Sequence, residues 1–212
     1  MSGAGAHATM KDLLGKAARL LRDRRGVAAI EFAFIAPILL ILYFLTMEAS
    51  QAIETSKKVN RMSSMIGDLI AQQSAVDSCS LPAILQAANT TLLPYNRSSP
   101  KVIVTGIQIT TDTPPIATVA WSYQVSGGQY GAGPEKAGDT TTMPSAIKTG
   151  GAFLIRVQSS LPYRPVIAWA AGDEKTLGLT SAFDNITMGA TFYFSPRLTT
   201  TVTYSTLASP CP

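Results

Sequence analysis

The chain has 212 residues, 46% of them hydrophobic and 14% charged, with a formal net charge of +4. That length holds one domain, or a small domain and an anchor. The sole histidine, His7, lies within the first ten residues, which leaves none for a histidine-based triad or a metal cluster; the two cysteines, Cys79 and Cys211, make no CxxC pair, and no phosphate-cradling loop occurs.

Residues 1–10 (MSGAGAHATM) are small and polar, and disorder is expected there. Residues 11–25 make a basic amphipathic stretch, with Leu13, Leu14, Ala17, Ala18 and Leu21 at near-helical spacing. Such a stretch suits a membrane surface. Lys11, Lys16, Arg19, Arg22, Arg24 and Arg25 stand here against Asp12 and Asp23, while the chain beyond the apolar run is nearly balanced in charge. The basic character therefore belongs to the N-terminal flank, and no nucleic-acid partner is expected.

Val27 to Met47 is apolar apart from Glu31 and Thr46. A bilayer core needs about 20 helical residues, so this run is long enough to span. The arginines before it, Arg22, Arg24 and Arg25 above all, set the N-terminus cytoplasmic and the remainder outside the inner membrane. No turn signal follows the run, and one helix is predicted from Val27 to Gln73. Pro37 is expected to kink it near mid-membrane, because proline removes an intrahelical hydrogen bond. Beyond residue 47, Ile53, Val59, Met62, Ile66, Leu69 and Ile70 form one apolar stripe.

A second helix is predicted from Ser80, with Ser80 as N-cap, Pro82 in the first turn and Pro94 as its end. Strands follow at 101–111, 116–125, 151–160 and 187–197, the first two joined by a loop holding Pro114 and Pro115. Residues 126–149 and 172–185 read as loops. Residues 163–171 read as a short strand or an apolar docking segment, and 199–206 as an extension of the sheet. The expected class is α+β: a long N-terminal transmembrane helix continuing into a head with a short second helix and an antiparallel sheet of about four to five strands. The expected divisions are 1–26 as leader, 27–47 as span, 48–98 as extramembrane helical part and 99–212 as sheet-rich head. Cys79 and Cys211 both fall in the exported part, where a disulfide between them is permitted; two buried thiols are the alternative.

Glu31 is the residue that asks for an explanation. A carboxylate at bilayer centre costs about 2.5–3.5 kcal/mol, less near the edge. One reading starts the span later and leaves Glu31 among headgroups. The other supplies a partner. If the chain is cut after Gly26, Val27 carries a new α-amino group, largely protonated with a reference pKa of about 8, and Glu31 is its fifth residue. A carboxylate one turn in also favours the positive end of the helix dipole. Two staggered helices would then pair the amine of one chain with the glutamate of the other.

The string Arg24-Arg25-Gly26, four residues, then Glu31-Phe32 resembles the cleavage signal of type IV prepilins. With Ala36-Pro37, the stretch GVAAIEFAFIAPILLIL (26–42) resembles the TadE/TadF-like minor pilins, or pseudopilins, of the tight-adherence (Flp-type) pilus system. The resemblance is specific over about residues 24–66 and only topological beyond. It implies cleavage after Gly26 by a prepilin peptidase, with Gly26, Val27, Glu31 and Phe32 as the processing and recognition residues. It further implies an inner-membrane, single-pass protein with a periplasmic head. Its partners would be minor pilins and a pilus assembly platform, and its role priming or capping the pilus. No enzyme activity, cofactor or metal is expected.

Two alternatives stay open. One is an uncleaved single-span protein whose outer domain binds an envelope or surface partner. The other is a secreted protein cut near Ser50-Gln51-Ala52. Asp173-Glu174 reads as a solvated turn. Trp121, Tyr123, Trp169, Phe192, Tyr193 and Phe194 read mainly as core residues, and Met62 and Met65 as part of the helical stripe.

Overall fold

The computed structural model describes residues 25–166 and 186–206. Expectations for 1–24, 167–185 and 207–212 lie outside the described residues, among them Arg22, Arg24, Trp169, Asp173-Glu174 and Cys211. The chain divides into two compact units, Met1–Ala49 and Ser50–Pro212.

The first long element is α1, Arg25–Ala71, 47 residues with Pro37 inside it. Its residues change character along its length. From Val27 to Phe44 apolar side chains are exposed all round, from 42% at Phe44 to 71% at Phe34. From Thr55 onward only one stripe is buried: Thr55, Val59, Met62, Ser63, Ile66 and Ile70. These fall at spacings of three and four, the pattern of a helix lying on a surface. Each of Val59, Met62, Ile66 and Ile70 is at most 1% exposed, and burying such a side chain contributes about 1.5–3 kcal/mol. Ile53 does not belong to this stripe: it is 59% exposed, and Met65 is 39% exposed. The stripe runs through 52, 55 and 59 instead, so Ile53 points away from the sheet.

A short strand β1, Ala75–Asp77, leads into α2, Ser80–Asn89. Ser80 is not the N-cap. It is the first helical residue, and Cys79 before it makes no side-chain cap. The Asp77 carboxylate accepts the backbone N–H groups of Cys79 (2.8 Å) and Ser80 (2.7 Å), while Ser80 Oγ accepts the N–H of Asp77 (2.9 Å). Helix α2 closes in a 3-10 turn at Thr90–Leu92, ahead of Pro94.

Five strands form an antiparallel sheet in the order β4-β3-β2-β5-β6. They are β2 (Lys101–Ile109), β3 (Ala117–Ser126), β4 (Gln129–Ala132), β5 (Phe153–Pro162) and β6 (Thr187–Phe194). The β2–β3 loop with Pro114 and Pro115 is closed by Thr110, whose N–H donates to the Ile116 carbonyl while its hydroxyl accepts the N–H of Ile116. The region expected as one loop at 126–149 contains β4, hairpin-paired to β3, and a 3-10 turn at Ser145–Ile147. The tail does not extend this sheet. Strand β7, Thr203–Ser205, pairs in parallel with β1 as a separate two-stranded sheet. Its place is fixed by the Trp121 indole, which donates to the Val202 carbonyl at 2.7 Å and stacks on Tyr204.

One face of the large sheet meets the Thr55–Ile70 stripe and α2. Val102, Val104, Trp121, Tyr123, Ile155 and Val157 share a core with Val59, Met62, Ile66, Leu81 and Leu85. The other face holds a smaller core of Ile107, Ile109, Ala117 and Leu154. A bulge explains the switch. Gly106 pairs with Trp121 but Ile107 pairs with Val119, so Ala120 is an extra residue in β3. It reverses the side to which odd-numbered residues point.

Candidate functional site

Gly26 stands at the start of α1, and a Cβ built on it meets nothing within 4 Å. Its lack of a side chain is therefore not needed for packing among the described residues. Val27 and Glu31 lie one turn apart on one helix face. Val27 is 49% and Phe32 69% exposed, and Glu31 is exposed too. No hydrogen bond or ion pair reaches Glu31 from the described residues. Pro37 lies within the continuous helix.

Among the described residues, one helix is long and apolar enough to cross a membrane, Gly26–Ala71. Its apolar part fits a single-pass membrane protein. The exposed rings of Tyr43 and Phe44 meet edge to face near the end of that part, with centroids 5.6 Å apart. Aromatic residues of this kind are enriched where a bilayer meets water. A second acid, Glu48, follows one turn later, fully buried and engaged. Sequence reasoning passed over it because it sits among residues that look like the start of a polar helix face.

The outer sheet face carries a buried ionic cluster. Arg156, 4% exposed, pairs with Glu135, and its Nη1 donates to Thr141 Oγ1 (3.0 Å) and the Thr142 carbonyl (3.2 Å). Thr105 and Thr141 donate to the same carboxylate at 2.9 and 2.8 Å. Burial pushes the Glu135 carboxyl up, but the hydrogen bonds from Arg156, Thr141 and Thr105, with the Arg156 charge, outweigh it and hold the group below the usual carboxylate range. The Asp77 carboxyl is also held low, by the N–H groups of Ser80 and Cys79. Both acids are spent on structure: one fixes the 133–142 loop to the sheet, the other fixes the start of α2. No group of three or more metal-ligating side chains occurs among the described residues.

Cys79, beside α2, is not a free thiol. Its expected partner, Cys211, lies outside the described residues.

Residues 26–65 match the family described as TadE-like protein. The match lies wholly within α1 and covers Gly26, Glu31, Phe32, Ala36 and Pro37 of the residues that carry the resemblance, with Arg24 and Arg25 just before it. The N-terminal segment of this chain is thus TadE-like, while the sheet-bearing part lies outside the match. No curated protein and no solved structure matches the chain.

Proposed function

We propose that this chain is a minor pilin, or pseudopilin, associated with a tight-adherence pilus and matured by a prepilin peptidase cutting after Gly26. It acts as an assembly subunit, priming or capping the pilus, and not as an enzyme. The carrying observation is Glu31, exposed and reached by no hydrogen bond or ion pair from the described residues, one turn beyond Val27 on a helix whose sequence is TadE-like. Cleavage creates an amine at Val27, and the Glu31 carboxylate of a neighbouring subunit is its natural counter-charge in lipid. The exposed apolar surface of residues 27–44 suits lipid before assembly and packing among subunits after it.

The basic leader supports an inner-membrane position with the N-terminus cytoplasmic and the head periplasmic. That compartment suits a Cys79–Cys211 disulfide. The partners are the peptidase, other minor pilins and the assembly platform.

The test is the N-terminal residue of the protein purified from membranes, with and without the peptidase. A start at Val27 that requires the peptidase supports the proposal. A start at Met1 or Ser2 in both cases leaves an anchored protein whose outer unit binds an envelope partner, and a start at Ile53 a secreted one. Gly26→Arg protein is expected to stay unprocessed and to fail in pilus assembly, with its fold intact.

A further inference from the structure

We infer that the free edge of β6 takes an added β-strand from another protein, one that carries a carboxylate where it passes Gly189. The inference concerns the Ser50–Pro212 unit alone and depends on neither the membrane span nor cleavage after Gly26.

The ladder shows which backbone groups are free. Pro162 pairs with Thr187, and one step further the Tyr163 N–H donates to the Ile186 carbonyl at 2.8 Å. Bonded and non-bonded pairs alternate along an antiparallel ladder. Met188, Ala190, Phe192 and Phe194 therefore bond to β5. Thr187, Gly189, Thr191 and Tyr193 turn their N–H and C=O groups the other way, where no strand lies among the described residues. Thr187, Gly189 and Thr191 are exposed. A row of unpaired groups is a template for another strand, and edge strands usually blunt it with charge, proline or a bulge. Strand β6 (TMGATFYF) holds no charged residue and no proline, and its register with β5 runs unbroken. The opposite edge strand, β4, has four residues against eight.

The outer face says what the added strand carries. Lys101, Ser160 and Gly189 stand side by side on β2, β5 and β6. The two residues between the lysine and the edge are small. They leave a hollow of about 420 Å³, whose lining includes Lys101, Ile103, Gln158, Ser160, Gly189 and Thr191. Lys101 is exposed. The ion pairs among the described residues are those of Lys58, Arg156 and Arg197, so no acid there is committed to Lys101. A glutamate on the added strand beside Gly189 lays its side chain over the small residues toward the Lys101 ammonium. Opposite charges on one sheet face attract. On the other face the added strand lies beside Met188, Ala190 and Phe192, so its alternate residues are apolar there. A second copy of this chain does not meet the requirement with either edge, because β4 (QYGA) and β6 hold no acid.

The experiment uses the full-length protein in non-ionic detergent and three capped eight-residue peptides. Each alternates threonine with valine. The first has glutamate at a central threonine position, and the second has lysine there. The third is the glutamate peptide methylated at its backbone nitrogens. Fluorescence anisotropy measures binding, and amide hydrogen exchange locates it. The glutamate peptide is expected to bind about five- to tenfold more tightly than the lysine peptide. It is expected to slow exchange at Gly189, Thr191 and Tyr193, and the methylated peptide is expected not to bind. Lys101→Gln is expected to remove the preference for glutamate. Lys136→Gln, exposed and in the loop beyond β4, is the control and is expected to keep it. Thr191→Pro removes a donor that faces the edge and none that faces β5, a place where proline is tolerated. It is expected to bind neither peptide while its thermal melt stays cooperative; the methylated peptide tests the same point if this variant does not fold. Failure of the glutamate peptide to bind, equal binding of the first two peptides, or binding of the methylated one overturns the inference. So does a preference kept by Lys101→Gln, one lost in Lys136→Gln, or full binding by folded Thr191→Pro. Slow exchange at these amides before peptide is added also overturns it, since this chain or a second copy then covers the edge.

Discussion

Two glycines with opposite surroundings separate folding from processing. At Gly106 a Cβ would stand 2.5 Å from the Trp121 indole nitrogen and 2.9 Å from Phe153. Neither ring has room to retreat, since Trp121 and Phe153 are buried and the indole is tied to the Val202 carbonyl. Gly106→Ala is therefore expected to destabilise the protein by about 1–3 kcal/mol, the usual cost of overpacking. Denaturant unfolding in detergent measures it, and an unchanged midpoint would refute the argument. A Cβ at Gly26 meets nothing among the described residues, so Gly26→Arg is expected to leave the melt unchanged while abolishing the Val27 terminus. Charge acts at the same scale. The Glu135 and Asp77 carboxyls are held below their ordinary values in the folded protein. A carboxyl whose folded pKa is depressed contributes stability that is complete above its unfolded pKa, about 4, and is lost as pH falls through the folded value. Stability is expected to fall as the pH drops below about 4–5. Glu135→Gln removes its share of that acid-side slope and leaves buried Arg156 uncompensated, lowering stability at neutral pH as well. Melts of both proteins from pH 7 to pH 3 check the sign, and a steeper acid slope in the variant would contradict it.

The elements were legible wherever a period was sustained. The stripe Val59-Met62-Ile66-Ile70, the first two long strands and the spacing from Gly26 to Glu31 all follow from residue types at fixed intervals. What escaped has identifiable physical causes. Ile53 is as apolar as its neighbours, but a face is chosen by the sheet, and the buried line passes through position 52. Strand β7 could not be placed because its partner, Ala75–Asp77, is three residues long and parallel, too short to show any period. The bulge at Ala120 was hidden by its own regularity: alternate residues from Ala117 to Val125 are buried on both sides of it, first against the smaller core and then against the larger. At α2 the serine has the residue type of an N-cap but is the first helical residue, and the acid three residues earlier took the amide groups. The sequence signal was Asp77-x-x-Ser80, a reciprocal bond of the capping-box kind displaced toward the turn. Asp77→Ala is expected to unsettle both α2 and the β1–β7 pair, since Asp77 lies in β1 and its carboxylate holds the N–H groups that open α2. Faster amide exchange at Cys79, Ser80 and Ser205, with the large sheet unaffected, is the signature; uniform exchange across the sheet would mean that Asp77 acts globally.

At the scale of the whole molecule, one continuous helix serves two chemically different environments, and the change of pattern along it says where each begins. Up to Phe44 its apolar side chains are exposed on every side and stabilise nothing among the described residues. From Thr55 its buried residues join the core of the unit that starts at Ser50. A chain starting at Ser50 therefore keeps the whole buried stripe and is expected to fold alone, soluble and with a single cooperative melt, although the cut falls inside a helix. A chain starting at Ser64 loses Val59 and Met62, each at most 1% exposed, together with the buried Ser63 hydroxyl that bonds Ser159. Those losses amount to about 1.5–3 kcal/mol for each apolar side chain, with a hydroxyl left unsatisfied in the sheet. Against a total stability of about 5–15 kcal/mol, the shorter chain is expected to be largely unfolded or to melt far below the longer one. Circular dichroism melts of the two chains decide the point. If the chain from Ser50 aggregates while the full-length protein is stable in detergent, the apolar half of α1 supports the fold as well as the membrane. If both truncated chains melt alike, the stripe is not what holds α1 to the sheet.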